Sequence, residues 1–217
     1  MKKEMSVKPE KITESWPGEL DMFSWKELVT SIPSPLFVVT GWKSNGKENA
    51  CLQSWAAFVS DEGEFVCILG HASKDGHMYQ SVKETGCCVL NFPSCDILEQ
   101  CFKTIDNNEF EEDEITASRL TAEKAVTVNA PRIAECFLNI ECEFLWERQN
   151  FETSGGAVVA LKAVHISMDS SRYNQRELGR YGKTGYVYNL LMPRNPDTGE
   201  LEPDSYGVID IVPRKTT

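Results

Sequence analysis

The strongest constraint on the fold lies in residues 135–146, ECFLNIECEFLW, where two classes of residue alternate with a period of two. Cys136, Leu138, Ile140, Cys142, Phe144 and Trp146 fall on one side of an extended chain, and Asn139, Glu141 and Glu143 on the other. That pattern predicts an antiparallel strand with one face in a core and the other in water. SPLFVVTGW, EFVCILG, GCCVLNFP and GGAVVALKAVHIS are also rich in β-branched and aromatic residues, and Gly or Pro bounds most of them. About five or six strands emerge in this way. HMYQSVKETG and DILEQCFKTI suit short helices, the first ending at Gly86 as a C-cap. The mixture predicts a mainly β fold, a closed or split barrel with helices packed outside.

A chain of 217 residues with 41% hydrophobic content can bury a core of ordinary size without staples. Its net charge of -11 and the lack of any Lys/Arg stripe argue against nucleic acid and against an anionic membrane surface as partners. No apolar run approaches the ~20 residues of a spanning helix. The opening MKKEMSVKPEKITESWPGELDMF has charges and prolines where a signal peptide needs an apolar stretch, so a cytoplasmic protein is expected. The eight cysteines are expected to be free and mostly buried. No Cys-x-x-Cys occurs, and His71, His77 and His165 form no helical pair, so no metal site is expected.

Residues 106–129, DNNEFEEDEITASRLTAEKAVTVN, form an acidic excursion that reads as a solvated loop or exposed helix, with a lid over a pocket as the functional alternative. Two nucleotide signals fail. Gly182-Lys183-Thr184 imitates the end of a P-loop, but Glu177 stands where the first glycine is required. No G-x-G-x-x-G follows a strand. GHASKDGHMY is a third candidate anion site, since it joins a strand to a helix start and offers Ser73, Lys74 and His77 beside free helical N–H groups. Read from that stretch alone, a capped helix with a solvent-exposed lysine accounts for it better.

The order IPSPLFVVT, NACLQSWAAFVS, SKDGHMYQSVKETGCCVLNFPS, APRIAECFLNIECE, GGAVVALKAVHI resembles the flavin reductase-like family, flavoredoxins included, over roughly residues 28–190. The resemblance implies an FMN-binding split β-barrel, antiparallel and of Greek-key type. Residues 1–27 then form an N-terminal extension, and 191–217 a tail packing on the domain or on a partner subunit. It also implies a cofactor site in which Asn49, Ala50, Cys51, Ser54 and Trp55 face the flavin, Ser73, Lys74 and His77 hold its phosphate, and Asn91 approaches the ring. Relatives place a hydroxyl residue early in the phosphate-side helix where this chain has Met78, so one phosphate donor fewer is expected. The activity implied is that of an FMN-dependent oxidoreductase using NAD(P)H, or of an FMN-binding electron carrier without NAD(P)H activity. A flavin-free interaction barrel is the third reading. No side chain is assigned as nucleophile, acid or base. The partners implied are a small-molecule electron donor or acceptor and a second copy of the chain, a homodimer to which the flanking aromatics Trp16, Phe23, Trp25 and Tyr206 point.

Overall fold

The computed structural model describes residues 2–106, 108–172, 179–203 and 205–212. Residue 107 of the acidic excursion and residues 204 and 213–217 of the tail lie outside the described residues. Along the chain run α1 (Glu19–Met22), α2 (Trp25–Thr30), β1 (Ser34–Pro35), β2 (Phe37–Trp42), β3 (Glu48–Gln53), β4 (Ala56–Asp61), β5 (Glu64–Ser73), α3 (His77–Thr85), β6 (Cys87–Phe92), α4 (Leu98–Asp106), α5 (Glu114–Ala117), β7 (Ala122–Lys124), β8 (Pro131–Ile133), β9 (Leu138–Gln149), β10 (Gly156–Met168), β11 (Val187–Asn189) and β12 (Tyr206–Val208). Two compact units divide them: Met1–Ser34 with Tyr188–Gly207, and Pro35–Val187 with Val208–Thr217. In the first unit the buried Arg194 pairs with the buried Glu19, and its guanidinium also donates to the Thr13 carbonyl and the Ser15 hydroxyl.

The second unit is built on a seven-stranded antiparallel sheet in the order β3-β2-β6-β9-β10-β5-β4. Phe37 of β2 and Phe58 of β4 meet with ring centroids 5.9 Å apart although four strands separate theirs in that order. A flat sheet would hold β2 and β4 far apart at about 4.8 Å per strand, so the sheet is curled on itself. Phe37, Val39, Cys67, Leu69, Leu90, Phe92, Ile140, Cys142 and Leu161 fill the enclosed core, each large side chain contributing about 1.5–3 kcal/mol on burial. Met78 and Val82 of α3 join it, being four residues apart and hence on one helical face. Met78 is thus core, which accounts for an apolar residue early in this helix. Gly86 ends α3 at φ 71°, a left-handed conformation that costs glycine little. A second cluster lies on the other side of β2 and β3, where Val38, Ala50 and Leu52 meet Leu98 and Cys101 of α4 and Ile115 of α5. The fold is therefore a mainly β split barrel with short helices outside.

Strand β9 departs from its sequence pattern in three ways. Asn139 and Glu141, read as solvent-facing, are buried at 7% and 0% exposure because the segment from β7 to β8 covers them. The Glu141 carboxylate accepts the backbone N–H groups of Val126, Thr127 and Val128 at 2.7, 2.6 and 3.0 Å. Burial alone would raise its pKa, but the three donors outweigh that and hold it below the usual range. Trp146, read as core, is 43% exposed, because the register slips between Ala160 opposite Trp146 and Leu161 opposite Phe144. That bulge inverts the faces beyond Phe144. Cys136 lies before the strand and joins the outer cluster. Cys87 and Cys88 do point to opposite faces, and all eight cysteines are free, six of them buried.

Candidate functional site

Strand β3 is an edge, and its outward N–H groups are occupied. Ala50 donates to Glu114 Oε2 at 2.6 Å and Leu52 to Thr104 Oγ1 at 3.1 Å, so side chains of α5 and α4 cap the edge where another strand could otherwise add. Glu114 is fully buried, and its Oε1 lies 2.8 Å from the ammonium of Lys43, whose side chain is 1% exposed. Lys43 also donates to the carbonyls of Glu109, Phe110 and Glu112 at 2.8, 3.3 and 2.7 Å. The acidic excursion is thus pinned on a buried lysine, and what read as a solvated loop is partly core.

Several of the candidate residues lie buried in this region or beside it. Ala50 is 0% exposed, and its N–H belongs to Glu114 rather than to a ligand. Asn49 is 1% exposed under α3. Asn91 is 0% exposed: its Nδ2 donates to Val38 O, Thr40 Oγ1 and Val89 O, and its Oδ1 accepts from Ile133 N and Asn139 Nδ2. Its hydrogen-bonding capacity is spent joining β2, β6, β8 and β9. His77 lies against the excursion, with Nδ1 3.6 Å from Glu114 Oε1 and its ring edge-on to Phe110 at 5.6 Å.

The remaining candidates gather near the turn from β3 to β4 and the end of β5. Cys51 is half-buried, accepts the Gln53 side-chain amide at 3.1 Å, and has its thiol pushed up to about 11 by burial. Ser54 and Trp55 form the turn, and Gly70 donates to the Trp55 carbonyl. A Cβ on Gly70 would stand 3.1 Å from that oxygen, so glycine permits the approach. The Trp55 indole meets the His71 ring edge-on at 6.2 Å. The imidazole lies directly over Gly156, where any Cβ would fall 2.2 Å from its Cε1. His71 and Ser73 are both exposed and, two apart on β5, share one side of the strand. Lys74 follows, its N–H bonded to Gly155 O at 3.0 Å, just before α3, whose N-cap Gly76 makes no side-chain cap bond. The Lys74 charge lies near Glu147, whose carboxyl is held down first by the Tyr79 hydroxyl at 2.8 Å and then by Lys83 and Lys74. Trp55, His71, Ser73 and Lys74 thus run as an indole, an imidazole, a hydroxyl and an ammonium.

His71 is the member of this run that the sequence reading passed over as a ligand contact. Its signal was available, since it precedes the exposed Ser73 by two in a strand. Elsewhere, a cavity of about 510 Å³ opens beside Trp42, Glu48 and residues 122–131, and none of the nine candidate residues lines it. At its wall the Glu48 carboxyl is raised to about 7, by burial first and then by the hydrogen-bonded Asp113 carboxylate. Among the described residues no three His, Cys, Asp or Glu side chains are placed to hold a metal, and no helix is long and apolar enough to cross a membrane.

Solved structures of similar fold include nitrilotriacetate monooxygenase component B from Bacillus cereus, with a TM-score of 0.73 at 16% identity over 99% of this chain and 100% of that one. Flavoredoxin of Desulfovibrio vulgaris (Miyazaki F) gives 0.64 at 18% identity over 84% and 90%. An FMN-binding domain of flavin reductases-like enzyme from Shewanella baltica gives 0.64 at 10% identity over 88% and 92%. At these identities the likeness concerns the fold. The family described as Flavin reductase like domain matches residues 29–186, most of the chain and all of the barrel strands described above. The chain belongs to the flavin reductase-like family.

Proposed function

We propose that the protein is an FMN-binding oxidoreductase of the flavin reductase type that takes electrons from NAD(P)H. The observation carrying this reading is the run Trp55, His71, Ser73, Lys74, which ends at the uncapped start of α3. An isoalloxazine needs a flat apolar wall with polar groups at its edge, and a phosphate needs a cation, a hydroxyl and free N–H groups. The residues present fit both demands. Lys74, Ser73 and the first N–H groups of α3 would hold the phosphate, while Trp55, Ser54 and Cys51 would border the ring. Bound FMN would supply two-electron redox chemistry, and the protein orients it and shields it from water. Cys51, with its thiol at about 11, stays protonated at neutral pH and serves as wall rather than nucleophile.

An absorption spectrum of the purified protein, before and after adding FMN and desalting, tests the reading. Flavin bands in the visible are expected, and a colourless protein that retains no FMN would overturn it. A second reading, an FMN-binding electron carrier, is favoured by the likeness in fold to a flavoredoxin. It is distinguished by a protein that keeps its flavin bands but does not oxidise NADH or NADPH with excess FMN. The proposal extends to a cytoplasmic homodimer. Its support is an outer sheet face in cross-strand register on which Trp146 at 43% exposure, the half-buried Ile68 and the exposed Ala57 lie around the buried Ala160, flanked by Val59 at 47% exposure.

A further inference from the structure

Trp42 and Glu48 stand directly opposite each other at the end of the β2–β3 hairpin, and opposed residues project to the same face of a sheet. Thr40 shares that face, two residues before Trp42, and its hydroxyl donates to the Pro131 carbonyl at 2.5 Å, which fixes β8 across this face. The indole and the carboxyl therefore border the cavity of about 510 Å³ from one side, while residues 122–131 close it from the other. Small-molecule sites occupy roughly 300–1,000 Å³. The nearby charges differ in how far they are already engaged. Glu123 of β7 pairs with Arg132 of β8 at 3.0 Å, and Lys43, next to Trp42, is committed to Glu114. Lys47 lies in the exposed hairpin turn, and Lys124 is exposed on β7. The half-buried Glu48 is hydrogen-bonded to another carboxyl, that of Asp113 at the N-cap of α5. Two carboxyls in contact hold one proton between them. Asp113 also accepts the Thr116 N–H at 3.1 Å, which favours its charged form and leaves the proton on Glu48.

We infer that this cavity is a binding site for a primary organic ammonium, its charge held by the Glu48 carboxylate with Asp113 behind it and its apolar body against the Trp42 indole. An ammonium can take the place of the proton on Glu48, since it brings one positive charge and N–H donors, and that proton leaves to solvent. The indole face attracts the same cation, and Val126, Val128 and Pro131 offer the rest of the ligand an apolar wall. An anion would be repelled by the carboxyl pair. A metal ion would find too few ligands, because among the described residues no three His, Cys, Asp or Glu side chains are placed to hold one. The site lies apart from Trp55, His71, Ser73 and Lys74, none of which lines the cavity, so it is separate from the proposed flavin site.

Isothermal titration of the full chain with benzylamine, in buffers of different ionisation heat, reads affinity and proton release together. With the Glu48 carboxyl raised to about 7, binding should release close to one proton at pH 6 and almost none at pH 8, and affinity should rise about ten-fold between the two. Benzyl alcohol, of the same shape without the charge, should bind at least about ten-fold more weakly at pH 8. Glu48→Gln, folded by circular dichroism, should lose about ten-fold or more in benzylamine affinity at pH 8 and release no proton at pH 6. Trp42→Leu should weaken binding while leaving the proton released per bound ligand unchanged. Benzylamine binding no better than benzyl alcohol at pH 8, or no proton release at pH 6, would overturn the inference on the wild-type protein alone. Equal benzylamine affinities of wild type and Glu48→Gln would also overturn it, and would mean general attraction to the net charge of -11. No flavin enters the titration, so its outcome does not depend on the FMN reading.

Discussion

Lys74 is the only fixed cation in GHASKDGHMY, and the structure leaves it beside Ser73 at the start of α3. Lys74→Ala should weaken FMN binding by about ten- to a hundred-fold, the equivalent of a charge-assisted hydrogen bond of roughly 1.5–3 kcal/mol. Riboflavin, lacking the phosphate, should bind both proteins alike in a fluorescence titration, whereas equal FMN affinities would take Lys74 out of the site. A different test falls on Glu48. Its carboxyl is raised from 4.5 to about 7, so the folded chain holds a proton that the unfolded chain releases across that window, and this contribution to stability falls as pH rises. Discounted for the solvent that reaches the pair, the loss amounts to about 1 kcal/mol. Glu48→Gln should therefore unfold at nearly the same temperature as wild type at pH 5 and at a higher one at pH 8. A Tm difference unchanged between the two pH values would argue against the shared proton. The strand end and helix start on either side of Lys74 were legible in the sequence because that setting is local. The neighbours of His77 were not legible, because Glu114, 3.6 Å from its Nδ1, lies far along the chain, and the periodicity of a helix gives no sign of a carboxylate arriving from elsewhere.

Among elements, the acidic excursion holds the largest difference between reading and fold. Counting its glutamates suggests a solvated loop, yet Glu114 and Ile115 are fully buried and Lys43 closes over the backbone from Glu109 to Glu112. Lys43→Met should strand the Glu114 carboxylate and three carbonyls, at a cost of about 3–5 kcal/mol in chemical denaturation. Adding Glu114→Gln should recover part of that loss, and a single variant as stable as wild type would show the lysine to be dispensable. The barrel strands were legible because alternation reports on one face at a time. The errors in β9 share a cause. Asn139 and Glu141 are buried by residues 122–133, which no local pattern could bring over them, and Trp146 is turned outward by a bulge that one inserted residue creates without a compositional trace. Asn91 shows the same limit, since no local pattern foretells that four strands meet at its side chain.

For the whole molecule, the outer sheet face that carries Trp146, Ile68 and Ala57 is the surface on which the proposed dimer depends. Ile68→Glu places a charge in its centre and should shift the mass seen by light scattering at micromolar concentration from that of two chains toward the 24.4 kDa of one, with the fold retained by circular dichroism. Wild-type protein that already scatters as a single chain would end the dimer proposal. The strand order carries one more consequence, for the chain as it is being made. Strand β5 has two neighbours, β4 just before it and β10, which is translated only after β6, both outer helices and β9. Until Gly156–Met168 leaves the ribosome, the first five barrel strands cannot close around Phe37, Leu69 and Phe92, and that apolar surface stays open to whatever is nearby. Pairings so distant in sequence also form slowly. The nascent chain thus passes most of its synthesis with an unsealed interior, a period in which a holding chaperone would have more to grip than at any time after release.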